Sequence, residues 1–213
     1  MVAEKDALVE FWMENFRFQP QVISAFRRVH RERFIPQDLA ERAYQDVPLP
    51  LLRGKTISQP TTVMIMTSAL ELAPGQTVFE VGTGSAYQAA IIARIVGPGK
   101  VFTTEIIPEL IPIARANLAS DGIANVEVIE GDGSQGLSDK SPFDRVIITA
   151  ACKEFPKALI DQLKVGGIIV GPVGTADEQE MVKGVKQKTG GLQLQMLGSF
   201  LFTPMYGKYG FEV

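Results

Sequence analysis

The stretch Thr77-Val78-Phe79-Glu80-Val81-Gly82-Thr83-Gly84-Ser85-Ala86-Tyr87 decides how the rest of the chain is read. Val78, Phe79 and Val81 form a short apolar run of β-formers, opened by the turn signal Pro74-Gly75. Gln88 to Val96 is rich in Ala and Ile and holds no Gly or Pro, so it reads as a helix. Strand, glycine turn and helix make the first half of a βαβ unit. Residues without a Cβ let the backbone bend sharply and let a ligand lie against it. The helix start then aims unpaired N–H groups at that ligand.

Two ligand classes compete for such a turn. A dinucleotide fold wants Gly-x-Gly-x-x-Gly or -Ala, with a pyrophosphate on the helix N-terminus. Here Gly82 and Gly84 are in place, but Tyr87 holds the third position, where close helix–strand packing needs a small residue. The turn resembles more closely the acidic-x-Gly-x-Gly turn of S-adenosylmethionine (SAM) methyltransferases, with Glu80 ahead of Gly82. That ligand carries an amino group and a sulfonium, both of which favour a nearby carboxylate. A tight turn joining any strand to any helix remains the bland alternative.

The chain has 213 residues, 46% hydrophobic and 21% charged, which is ordinary for a globular protein and enough for one well-cored α/β domain. A net charge of -3 gives no electrostatic reason to expect nucleic acid. The one cysteine, Cys152, rules out an intramolecular disulfide and Cys-based metal clusters. The one histidine, His30, argues against His-rich metal sites and leaves any Ser-His-Asp triad dependent on it. No metal is expected. Glu4, Lys5 and Asp6 at the start do not read as a signal peptide, and no apolar run reaches membrane-spanning length. A cytoplasmic monomer is the simplest expectation.

Residues 6–16 and 20–29 carry apolar residues near helical spacing. Trp12 and Phe16 read as a packing face. Arg27, Arg28, Arg31 and Arg33, with His30 among them, read as a solvated helix end and are given no chemical role. Residues 34–60 differ. Pro36, Pro48, Pro50 and Pro60 forbid a long helix, yet Val47, Leu49, Leu51, Leu52 and Ile57 make the segment too apolar for a solvated linker. A long irregular stretch in a compact domain usually serves function, so it is expected to be a lid or substrate wall.

Thr61 to Leu72 then reads as a helix leading into the central strand. Val101 to Thr104 is a second strand closing on Glu105, 21 residues beyond Gly84, near the offset at which a carboxylate meets ribose hydroxyls. A helix over 108–118 and a strand over 126–129 lead to Gly131-Asp132-Gly133. Glu80, Glu105 and Asp132 thus fall at the carboxyl ends of three strands, the ligand rim of such sheets; Asp132 could accept from an adenine amine. A fourth strand over 143–149, a helix over 159–163 and a fifth strand over 168–173 follow. Residues 179–202 read as two antiparallel strands joined near Gly190-Gly191. The expected fold is a Rossmann-like, doubly wound, mostly parallel sheet with an antiparallel C-terminal strand pair. Its parts are an N-terminal extension (1–60), a core (61–175) and C-terminal strands (176–213), all within one domain, 1–213.

Further motifs carry a resemblance. Phe34-Ile35-Pro36, Tyr44-x-Asp46-x-Pro48-Leu49-Pro50 and, above all, Gly54-x-Thr56-Ile57-Ser58-x-Pro60 precede the glycine turn. Gly131-Asp132-Gly133, Pro142-Phe143-Asp144, Thr149-Ala150-Ala151, Pro172-Val173-Gly174 and Phe202-Thr203-Pro204 follow it. From about Arg33 to Gly210 the chain resembles the protein-L-isoaspartate O-methyltransferases. It departs from their pattern at Ala86, where a third glycine is usual, at Cys152-Lys153, and at Thr203 and Met205. If Ala86 has positive φ its methyl group costs stability, and if φ is negative nothing is lost.

The resemblance implies methyl transfer from SAM, leaving S-adenosyl-L-homocysteine, to the free α-carboxylate of L-isoaspartyl residues in damaged proteins and peptides. It implies a cofactor site at Glu80, Gly82, Thr83, Gly84, Ser85, Glu105, Ile106, Asp132 and Gly133. It further implies Ser58 as the active-site hydroxyl orienting the substrate carboxylate, with Thr56 in support, and a peptide grip from Thr56, Ile57, Ser58, Thr203 and Pro204. Such a carboxylate is already ionised at neutral pH, so no general base is needed. Two rivals share parts of the pattern. A methyltransferase acting on tRNA would carry a basic face and would not need the Thr56–Ser58 segment. A nicotinamide-dependent oxidoreductase or a binding-only protein would need a pyrophosphate turn or a dead SAM site.

Overall fold

The computed structural model describes residues 2–211. Helices α1 (Val2–Asn15) and α2 (Pro20–Arg28) open the chain, the second with Pro20 at its first turn, where a missing N–H costs nothing. After two short 3-10 turns comes a small hairpin, β1 (Leu49–Pro50) against β2 (Thr56–Ile57), with Leu49 opposite Ile57. Helix α3 (Pro60–Ala69) follows. Then come β3 (Thr77–Val81), α4 (Tyr87–Val96), β4 (Lys100–Glu105), α5 (Leu110–Ser120), β5 (Val126–Glu130), β6 (Phe143–Ile148), α6 (Lys157–Gln162), β7 (Leu163–Gly174), β8 (Gln179–Lys186) and β9 (Leu192–Phe200).

Strands β3 to β9 form one sheet in the order β5-β4-β3-β6-β7-β8-β9. The first five positions are parallel and the β7–β8 and β8–β9 pairings antiparallel, as the sequence leads one to expect. The chain runs outward from β3 through β4 to β5, then returns to β6 on the other side of β3. Parallel neighbours therefore diverge at the carboxyl end of β3, the switch point where open α/β sheets bind ligands. The glycine turn sits there.

Alternation along the strands sorts the core into two layers. Val78, Val101, Ile147, Ile168 and Val170 face Trp12, Phe26, Met64, Ile91 and Leu118 from α1 to α5. Phe79, Phe102, Phe143, Val146 and Ile169 face the other way, toward α6 (Leu159) and Met205 of the C-terminal segment. Phe79 and Phe143 stack with ring centroids 5.1 Å apart. Helix α4 is buried along almost its whole length, which explains a helical run with Arg94 as its only charge.

The irregular segment is ordered by polar anchors. Asp46 accepts from the N–H and hydroxyl of Thr61, and Trp12 Nε1 donates to the same hydroxyl at 2.7 Å. In the basic cluster Arg27, Arg28 and Arg33 are exposed, as a solvated helix end predicts, and Arg31 alone corrects that reading. Arg31 is fully buried. His30, Arg33 and Arg94 converge on the buried side chain of Asp121 at the end of α5. The cause is local. The helix ends at Arg28, Val29 is extended, and the chain turns Arg31 inward onto carbonyls that need donors, while His30 and Arg33 reach Asp121 from about half-exposed positions.

Candidate active site

The glycine turn after β3 has three successive left-handed positions, Gly82 (φ 98°), Gly84 (φ 53°) and Ala86 (φ 68°). Gly82 is required twice over, since a Cβ there would lie 2.7 Å from Thr149 Oγ1. Thr149 donates that hydroxyl to the carbonyls of Val81 and Gly82 and so clamps the turn to β6. Ala86 answers the question left by the sequence: its φ is positive, so the methyl group sits in the conformation that L-residues resist, at about 1–2 kcal/mol. The methyl group is fully buried, and its burial returns part of that cost, at ~0.8 kcal/mol.

Beneath the turn lies a chain of hydroxyls. Thr83 Oγ1 lies 2.7 Å from Thr103 Oγ1, and Thr103 donates to Glu80 Oε2 at 2.6 Å. Glu80 is fully buried, and its Oε1 has no partner. Burial pushes its carboxyl up to about 8; the Thr103 hydrogen bond opposes this and the neighbouring Glu105 charge adds to it. Glu105, at the end of β4, accepts from the N–H of Gly84 at 2.7 Å with one oxygen and from that of Ile107 at 3.0 Å with the other. A carboxylate oxygen has two lone pairs, so both oxygens keep one for a diol.

Around this turn opens a cleft of about 840 Å3, its open mouth included. Gly82, Thr83, Gly84, Ser85, Glu105, Ile106 and Gly133 line it on one side. Thr56, Ile57 and Ser58 line it from the hairpin, and Thr203 and Pro204 from the C-terminal segment. That segment is held in place by Gln179, whose Oε1 accepts from Phe202 N, and by an exchange of hydrogen bonds between Ala151 and the backbone of Thr203 and Met205. The sequence read these residues separately; the fold brings them to one cavity.

Two acids of the expected rim stand outside it. Glu80 lies below the turn. Asp132 is engaged elsewhere, its oxygens accepting from Ser134 N, Ser134 Oγ, Gln135 Nε2 and Lys208 N. Partial burial works against its charge, but these donors outweigh it and hold the carboxyl below its usual range. Its neighbours Gly131 and Gly133 do reach the cleft, and a Cβ on Gly133 would collide with Thr104 and Val81.

The cleft also has lining residues that the sequence reading did not assign, among them Lys55, Tyr87, Gln88, Thr149, Ala150 and Tyr206. Thr149 and Ala150 belong to a motif that was visible. Lys55 and Tyr206 have no such signal: the ammonium lies 4.3 Å from the ring centroid, joining hairpin and C-terminal segment across the mouth. From the same hairpin Arg53 pairs with Glu109 at the start of α5.

The groups present suit SAM. A buried carboxyl oxygen without a partner lies under the turn, a carboxylate with spare lone pairs closes β4, and Cβ-free positions line the floor. A family model described as protein-L-isoaspartate(D-aspartate) O-methyltransferase (PCMT) matches residues 3–210. The chain is 41% identical to the protein-L-isoaspartate O-methyltransferase of Methanoculleus marisnigri over 98% of its own length and 94% of that protein's. It is 43% identical to protein-L-isoaspartate O-methyltransferase 2 of Archaeoglobus fulgidus, over 98% and 95%. A solved structure described as a protein-L-isoaspartate O-methyltransferase superimposes with a TM-score of 0.86 at 26% identity, covering 99% of this chain and 67% of that one. A Plasmodium falciparum structure described as a PCMT, in complex with S-adenosyl-L-homocysteine, gives 0.83 at 22% identity, covering 95% and 98%; it speaks for the fold. Fold, cleft and relatives agree, and the chain belongs to the protein-L-isoaspartate O-methyltransferase family.

Proposed function

We propose that this cleft transfers a methyl group from SAM to the free α-carboxylate of L-isoaspartyl residues in damaged proteins and peptides, with each residue acting as follows. The observation that carries this reading is the convergence of the glycine turn, the Thr56-Ile57-Ser58 strand and Thr203-Pro204 on one cavity. Bound SAM supplies a methyl group made electrophilic by its sulfonium. The backbone of Gly82 to Ser85 and the side chains of Glu105 and Ile106 hold the cofactor, with Gly133 leaving room beside them and Glu80 supporting the turn from below through Thr103 and Thr83; Glu105 takes the ribose hydroxyls.

Ser58 then donates its hydroxyl to the substrate carboxylate and turns one oxygen toward the methyl carbon. Thr56 and Ile57, with Thr203 and Pro204, grip the peptide largely through backbone, since many damaged sequences must be accepted. The carboxylate arrives ionised, so the step needs no base. His30 is tied to Asp121 and lies outside the cleft lining. The work left to the protein is holding nucleophile, carbon and sulfur in line, worth up to about 7–11 kcal/mol in favourable cases. We read the chain as one domain acting as a cytoplasmic monomer without a nucleic-acid partner; among the described residues no helix is long and apolar enough to cross a membrane.

The deciding experiment is transfer of labelled methyl from SAM to two synthetic peptides, one isoaspartyl and one aspartyl. Base-labile label in the isoaspartyl peptide alone is expected. Label in both, or in neither while SAM binds, would refute the substrate assignment.

A further inference from the structure

Arg31 is fully buried and its hydrogen bonds end on backbone carbonyls. Nη1 donates to Ala43 O, and Nη2 donates to Val47 O at 3.3 Å and to Ser58 O at 2.9 Å. Those carbonyls belong to widely spaced parts of the irregular segment, and the last is the carbonyl of the hydroxyl residue in the cleft. Its guanidinium also lies 5.7 Å from the centroid of the Tyr87 ring, which lines the cleft. Keeping a charge in the interior on neutral acceptors is costly, and an exposed loop would satisfy its carbonyls with water.

On the other side of Ser58, Thr61 is fixed by Asp46 and Trp12. Ser58 is therefore restrained from both directions, through its own carbonyl and through the start of α3. We propose that Arg31 is the positioning residue for Ser58: its planar fork sets the backbone from which the Ser58 hydroxyl reaches the substrate carboxylate. Lysine cannot replace it. An ammonium is a point donor on a flexible stem and lacks the fork that spans separate carbonyls. The hydrogen bonds of Arg31 all lie on the substrate side of the cleft, while the cofactor turn has its own hydrogen bonds from Thr149 and to Glu105, with Thr103 beneath it. Its loss should therefore divide the two functions of the site.

This inference rests on the methyltransferase reading above. The test compares the wild-type enzyme with Arg31→Lys and Arg31→Ala for kcat and KM on an isoaspartyl peptide, for S-adenosyl-L-homocysteine affinity, and with alkylguanidinium ions added to Arg31→Ala. A displacement near 1 Å at the reacting group can cost roughly 10²-fold, so kcat is expected to fall on that order. S-adenosyl-L-homocysteine affinity should be retained, and alkylguanidinium should restore turnover saturably. Unchanged kcat in both variants overturns the proposal. So does a kcat that falls only in step with cofactor affinity and is not rescued, because that is general destabilisation. If Arg31→Ala does not fold, Arg31→Lys decides alone: normal cofactor affinity with wild-type kcat refutes the role. If the wild type methylates no isoaspartyl peptide, the functional reading fails instead. Amide exchange at Ser58 and Gln59 in Arg31→Lys then still tests the restraint, with faster exchange expected and unchanged exchange overturning it.

Discussion

Glu80→Gln removes a titration that the fold makes expensive. The carboxyl moves from its ordinary value of 4.5 to about 8 on folding, chiefly through burial. Between those values the folded chain holds a proton that the unfolded chain has released. Wild-type stability therefore falls as pH rises through the window, by ~1.4 kcal/mol per pH unit. Across the whole shift from 4.5 to about 8 this amounts to about 5 kcal/mol, a large fraction of a stability of ~5–15 kcal/mol. Gln has the same shape and does not titrate. Urea unfolding of both proteins at a series of pH values should show curves that nearly coincide below the window and separate steadily within it, the variant becoming the more stable. Above about 8 the gap should be constant. Parallel curves would refute the argument, since they would mean that Glu80 titrates alike in the folded and unfolded chain.

Ser58→Ala should lower kcat for the isoaspartyl peptide while SAM affinity, read by calorimetry, stays unchanged; undiminished turnover would remove Ser58 from the mechanism. Ala86→Gly relieves about 1–2 kcal/mol of left-handed strain but gives up ~0.8 kcal/mol of methyl burial and adds ~0.5–1 kcal/mol of backbone entropy. The opposing effects nearly cancel, so a stability change within about 1 kcal/mol is expected in urea titration; a shift of twice that would contradict the balance. Asp132→Ala strips the acceptor from Lys208 N and from Ser134, so amide exchange at Lys208 and Tyr209 should accelerate. Because the carboxyl is held below its usual range, wild-type protection there should also fade on acidification, as pH drops through the folded value.

Much of the fold is local information and was legible in the residues. Helix and strand periodicity, the proline punctuation of 34–60 and the glycine turn place β3 to β9 and the helices within a few residues of where they lie, because each pattern repeats with the geometry of its own element. The motif Thr56-Ile57-Ser58 and the rim acid Glu105 were likewise visible, and both reach the cleft.

Tertiary packing settled what depends on neighbours distant in the chain. The sign of φ at Ala86 follows from how β3, α4 and Thr149 constrain the turn. Asp132 looked like a ligand acid, but its donors arrive from residues 208 and 134–135, a contact that no local pattern encodes. Arg31 looked like surface charge until carbonyls from Ala43, Val47 and Ser58 closed around it. A sequence records which groups can donate, accept or ionise. Only the folded chain determines which are left without water and must find one another, and that desolvation assigns Glu80, Arg31 and Asp132 their parts.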